Sequence, residues 1–158
     1  MRTVLLLVLS IAVASAQTAQ KKVDPLQQFG FLLGKWKGEG GGQPGAGMGA
    51  FSFDAELDGH ILVRHNYAEY GGAILRHDDL LIVYLEDSPR AIYFDSEGHV
   101  IRYRVTIPQA GSVVFESDGS PRYRLSYVLQ GAVLEGTFEI AESARAPYKT
   151  YLSWTAKK

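Results

Sequence analysis

The sequence predicts an all-β fold: an antiparallel up-and-down barrel of about ten strands, with a short N-terminal helix plugging one end. Three observations predict it. Past residue 34 the chain falls into short segments of apolar–polar alternation, rich in β-branched and aromatic residues. Turn pairs separate them at short intervals: Asp58-Gly59, Glu97-Gly98, Asp118-Gly119 and Gln130-Gly131. No connection is long enough for a crossover helix, so the strands form a meander, and a meander of this size hides its edges by closing on itself. A two-sheet sandwich is the alternative.

The elements follow in order from local chemistry. Asp24-Pro25 reads as a helix start, Asp as N-cap and Pro at the first helical position. Leu26, Phe29, Leu32 and Leu33 follow at helical spacing over two to three turns, roughly, and Gly34 ends the run. Strand 35–41 carries Trp36 and leads into a glycine-rich loop, 42–49. Strand 50–57 sets Phe51, Phe53, Ala55 and Leu57 against Ser52, Asp54 and Glu56, and turns at Asp58-Gly59 into strand 60–70. After loop 71–76, strand 77–86 ends at Asp87-Ser88-Pro89. Strand 90–96 turns at Glu97-Gly98 into 99–107, which stops at Pro108-Gln109-Ala110. Strands 111–117 and 121–129 flank Asp118-Gly119, and Gln130-Gly131 leads into 133–140. Loop 141–146 precedes the last strand, 147–156. Alternating hairpins place the helix at one end. They gather the longer loops, with Glu97-Gly98 and Asp118-Gly119, at the other end, which is the expected mouth.

The chain opens on a targeting pattern. Arg2 supplies a positive n-region, residues 4–13 are almost wholly apolar, and Ala14-Ser15-Ala16 fits the small-residue cleavage rule. The apolar run is too short for a permanent membrane anchor. Residues 1–16 are therefore expected to be a signal peptide, 17–23 a polar lead-in and 24–158 the barrel domain. The expected destination is the periplasm or the exterior, with no integral membrane segment after signal removal. The balance of 16 basic against 17 acidic side chains argues against a nucleic-acid partner. With no Cys there is neither disulfide nor thiol nucleophile. G-x-S-x-G, H-E-x-x-H and Walker patterns are absent, and Gly40 to Gly45 matches G-x-G-x-x-G only before a strand. No catalytic residue and no metal ligand is assigned.

Register decides which side chains face inward. A two-residue Asp58-Gly59 turn pairs Phe53 with Arg64 and Phe51 with Asn66, which carries Arg64 and Asn66 into the interior. An interior guanidinium needs a carboxylate, carbonyls, water or a ligand anion. The bland alternative is that Arg64 snorkels to a rim or pairs with Glu69. Residues 93–103, YFDSEGHVIRY, hold Asp95, Glu97 and His99 two apart. A two-residue Glu97-Gly98 turn pairs Phe94 with Ile101 and Ile92 with Tyr103, turns Tyr93, Asp95, Arg102 and Arg104 outward, and dissolves that cluster into hairpin chemistry. A three-residue turn pairs Ile92 with Arg102 and mixes the faces. Asp78-Asp79 beside His77 reads as a solvated strand start.

Tyr103, Tyr123 and Tyr127 fall on inward faces with Phe94, Phe115, Phe138 and Trp154. A barrel wider than about eight strands tends to enclose a cavity. Trp36, Arg64, Asn66, Tyr103, Tyr123 and Tyr127 are therefore the candidate ligand-binding residues, the aromatics for an apolar body and Arg64 and Asn66 for a polar end. His77 and His99 belong near the mouth, His60 at the plugged end and His65 outside.

Residues 31–42, FLLGKWKGEGGG, carry a resemblance. Gly34-x-Trp36 after a short helix resembles the start of lipocalin-like (calycin) barrels, and the fuller run 33–40 is similar to the opening of nitrobindin-like haem-binding barrels. The resemblance implies a ten-stranded antiparallel barrel. In that family the barrel holds haem b through a histidine near the C-terminus, and some members act on nitric oxide or peroxynitrite. In this chain Gln43-Pro44 replaces the usual tyrosine-proline, and no His follows His99, so His77 and His99 are the haem-ligand candidates. The primary expectation is an exported barrel that binds a small, mostly apolar or amphipathic molecule. A haem-dependent barrel and an envelope interaction module with a filled core are the alternatives.

Overall fold

A computed structural model describes residues 26–42, 46–70 and 75–158. The signal peptide, the lead-in, the Asp24-Pro25 helix start and the loop tips 43–45 and 71–74 lie outside the described residues. A six-residue 3₁₀ helix, Gln27–Leu32, leads into ten strands. They are β1 Gly34–Gly42, β2 Gly47–Glu56, β3 Ile61–Tyr70, β4 Leu75–Leu85 and β5 Pro89–Asp95, then β6 Val100–Thr106, β7 Ser112–Ser117, β8 Arg122–Gln130, β9 Val133–Ala141 and β10 Lys149–Lys157. Each pairs antiparallel with its sequence neighbours, and β1 closes on β10 from Lys37↔Lys157 to Gly42↔Leu152. Closure leaves no strand edge to template association. All ten expected strands are present.

The helix is tighter than the expected α-helix. Gly30 sits inside it and weakens α-helical propensity. Its role is to seat Phe29 and Leu32, both fully buried, on the same core as Trp36, Phe53 and Val83. Trp36 Nε1 donates to the Leu32 carbonyl at 2.7 Å, which satisfies the buried indole and ties the helix to β1. Gly34 enters β1 at φ +109°, a conformation that side chains resist. The Gly-x-Trp pair therefore builds the closed end of the barrel.

Above it, Tyr127 is the hub. Its ring packs on Phe51, Phe53, Phe115 and Trp154 at centroid distances of 6.0, 5.6, 6.4 and 5.7 Å. The outer wall is charged: Lys35, Lys37, Arg102, Arg104, Glu135 and Lys157 are exposed. A membrane-spanning barrel instead turns an apolar band outward.

The mouth half of the β1–β2 wall is bare backbone. Gly38 pairs with Gly49 and Gly40 with Gly47. A Cβ at Gly38 would lie 2.9 Å from the Thr155 carbonyl, and one at Gly47 would lie 2.7 Å from that of Glu69. Close approach of neighbouring strands thus excludes side chains here, and backbone forms this part of the wall.

Gly136 on β9 faces Trp154 on β10, and the indole lies where a Cβ would project. Gly136→Ala should displace Trp154 and lower stability by about 1–3 kcal/mol, the usual overpacking cost. Urea unfolding followed by tryptophan emission checks this. A shift in folded-state emission is expected along with the lost stability.

Candidate functional site

The β2–β3 ladder has the expected register, Phe51↔Asn66 and Phe53↔Arg64, although the turn is longer. Leu57, Asp58 and Gly59 all adopt positive φ, and Ala55 and Leu57 lie exposed beyond the apolar face. The β3–β4 ladder then sets Asp79 opposite Asn66. Arg64 and Asp79 meet inside the barrel with side chains only 6% and 4% exposed. Arg64 Nη2 donates to Asp79 Oδ2 at 2.9 Å and lies 2.8 Å from Oδ1, which receives no aligned hydrogen bond. Nη1 donates to the Tyr127 hydroxyl at 2.8 Å, and Asn66 Nδ2 donates to Asp79 Oδ2 at 2.8 Å. Burial disfavours the Arg64 charge, but Asp79 and the tyrosines around it more than restore it, so the guanidinium stays protonated.

Two expectations change here. Asp79 is not part of a solvated strand start: Asp78 faces out, while His77 and Asp79 face in. Arg64 has an internal carboxylate and needs neither Glu69 nor a ligand anion. The charge of the floor is balanced from within.

The turn after β5 corrects the other register. Ile92 pairs with Arg102, Tyr93 with Ile101 and Phe94 with Val100, so the three-residue turn is the one formed. Asp95 causes it. Its Oδ1 accepts from the backbone N–H groups of Glu97 (3.0 Å) and His99 (2.9 Å), while Oδ2 sits 2.9 Å from His99 Nδ1. An Asx-type bond of this kind widens the turn by one residue. Tyr93 and Asp95 therefore face inward, and Phe94 is 38% exposed on the outside. The Asp95–Glu97–His99 cluster is real, and it sits at the mouth.

His77 joins the two layers. Its Nε2 lies 2.9 Å from the Tyr93 hydroxyl and 3.7 Å from Asp79 Oδ2, and its Nδ1 lies 3.4 Å from Glu97 Oε1. Burial, reinforced by Asp79, pushes the Tyr93 phenol far upward, and burial does the same to Tyr103. Tyr127 is pushed up to about 12, again mainly by burial. These tyrosines stay phenols at neutral pH. A phenol can both donate and accept, so Tyr93 and His77 Nε2 share this hydrogen bond with either ring tautomer.

Over this floor lies a cavity of about 550 Å³ that opens at the expected mouth. Arg64, Asn66, Tyr103, Tyr123, His77 and His99 all line it. Trp36 and Tyr127 do not: they are packed beneath it, 2% and 0% exposed. Phe138 and Trp154 belong to the wall, as expected, and Leu125 and Tyr93 join them. A β-bulge between Thr150 and Leu152 turns Tyr151 into the rim, where it packs edge-on against Phe138 at 6.2 Å. The barrel is thus filled in its helix half and open in its mouth half.

Among the described residues no group of three or more His, Cys, Asp or Glu side chains is placed to hold a metal ion. For haem, His99 is the better placed ring, since Asp95 orients Nδ1 and leaves Nε2 free. The rest of the site fits haem poorly. Its propionates would leave through a mouth lined by Asp95 and Glu97, and Arg64, the one Lys or Arg of the lining among the described residues, is already paired. Comparison with protein-family models and with curated proteins finds no match to this chain.

Removing one member of the buried pair strands the other. Arg64→Met should cost about 3–5 kcal/mol in urea unfolding, and the double variant Arg64→Met/Asp79→Leu should recover most of that. Near-equal loss in both variants would mean the pair is not the source. Hydrogen bonds from the backbone and side chain of His99 outweigh burial and hold the Asp95 carboxyl below its ordinary value. A depressed carboxyl stabilises the fold above its unfolded-state pKa, and that stability is lost as pH falls through the folded-state value. Asp95→Ala should therefore cost about 1–3 kcal/mol at neutral pH. The gap to the unsubstituted protein should shrink below about pH 4, as read by unfolding at both pH values.

Proposed function

We propose that this chain is an exported barrel that binds a small, mostly apolar molecule in its open half. The targeting pattern of residues 1–16 supports export. The observation that carries the binding reading is the cavity itself: about 550 Å³, open at one end, walled by aromatics and floored by a few fixed polar groups. That combination is the usual design of a small-molecule site. Tyr103, Tyr123, Phe138 and Trp154 take the ligand's body. Asn66, His77 and Tyr93 take its polar end. Arg64 acts through Asp79, holding Asn66 and the floor in place, and Trp36 and Tyr127 support that floor from below.

The Tyr93 phenol and the Asn66 amide are held by partners within the protein, so the floor of the pocket is ordered before a ligand enters. Haem chemistry on nitrogen oxides is the weaker reading, because the acidic mouth opposes the cofactor's carboxylates.

Ala68 lines the cavity from β3. Ala68→Trp should fill much of the open half. The neutral fluorophore 1-aminoanthracene should brighten on binding the unsubstituted protein and fail to do so with Ala68→Trp, while the two circular dichroism spectra coincide. Equal brightening with both proteins would place the probe elsewhere and remove the cavity as the site.

A further inference from the structure

We infer that the polar end of the ligand is a cation, so that the pocket takes cationic amphiphiles: an ammonium or amidinium group on an apolar body. This rests on the ligand-binding reading and adds the charge of the ligand to it.

The charges around the cavity are one-sided. Among the described residues Arg64 is the only Lys or Arg that lines it, against the inward carboxylates Asp79, Asp95 and Glu97; Glu39 alternates with Gly38 and Gly40 and turns its side chain to the outer wall. Arg64 offsets Asp79, with which it is paired. The remaining two carboxylates, Asp95 and Glu97, share one opening in a low-dielectric wall, which focuses a negative potential into the cavity. Glu97 is the one free to answer a ligand. Its side chain is 57% exposed, and its ionic contacts are His77 at 3.4 Å and His99 at 3.9 Å, with no Lys or Arg partner among the described residues.

One further observation points the same way. The walls present the rings of Tyr70, Tyr93, Tyr123 and Tyr151, whose faces attract a desolvated cation. An anionic headgroup meets no unpaired Lys or Arg of the lining among the described residues, and it faces the carboxylates at close range.

The test is calorimetric titration of the full barrel with three ligands of one body, decylammonium, decanoate and decanol, below their aggregation limits at neutral pH and low salt. Decylammonium should bind at least about tenfold tighter than decanoate, with decanol between them, and added salt should narrow the gap. Glu97→Gln should shrink the preference several-fold, and Glu97→Lys should abolish or invert it. The side chain takes no part in the hydrogen bonds that form the turn, its contacts being the ionic ones to His77 and His99, and thermal unfolding of the variants checks the fold. Equal binding of all three, or tighter binding of decanoate, would overturn the cationic class while leaving the pocket reading intact. Binding of none of them would overturn the pocket reading and this inference with it.

Discussion

The Arg64–Asp79 pair governs the interior. A guanidinium and a carboxylate with side chains 6% and 4% exposed can sit inside an apolar barrel only because each neutralises the other. Once there, they fix what surrounds them. Arg64 reaches down to the hydroxyl of Tyr127, the hub of the filled half, and Asp79 reaches across to Asn66. The pair is therefore the boundary between two kinds of interior. Below it, rings interlock to the density of a core. Above it, bare glycine backbone and spaced aromatics leave a cavity.

The architecture was legible because its signals are local. Ten alternating segments and short turn pairs require nothing from tertiary context, and the Gly34-x-Trp36 motif marked the closed end. Asp58-Gly59 also gave the right pairing of Arg64 and Asn66 although the turn proved longer, because turn residues were added on both sides and the face parity was kept.

The site was legible only in part. Ala91-Ile92-Tyr93-Phe94 is apolar on both faces, so nothing but turn length could say which face is inside. Glu97-Gly98 suggested two residues, and the Asp95 side chain made it three. That single bond pattern reversed Tyr93, Phe94 and Asp95 together. Leu80-Leu81-Ile82-Val83 hid the parity of β4 in the same way, and with it the inward course of His77 and Asp79. The signal that could have found Asp79 was the demand of Arg64 for a carboxylate. The two-residue spacing of Asp95, Glu97 and His99 also pointed to a true cluster, although at the rim of a pocket.

The central claim is that the mouth half is a standing cavity above an intact ion pair, kept for a ligand. A crystal structure of the protein with decylammonium, at neutral pH, tests it most directly. The account predicts the Arg64–Asp79–Tyr127 contacts unchanged and ligand density above them, with its chain against Tyr103, Phe138 and Trp154. A mouth half filled by rim side chains such as Tyr70 and Tyr151, with the ligand absent or bound elsewhere, would contradict it.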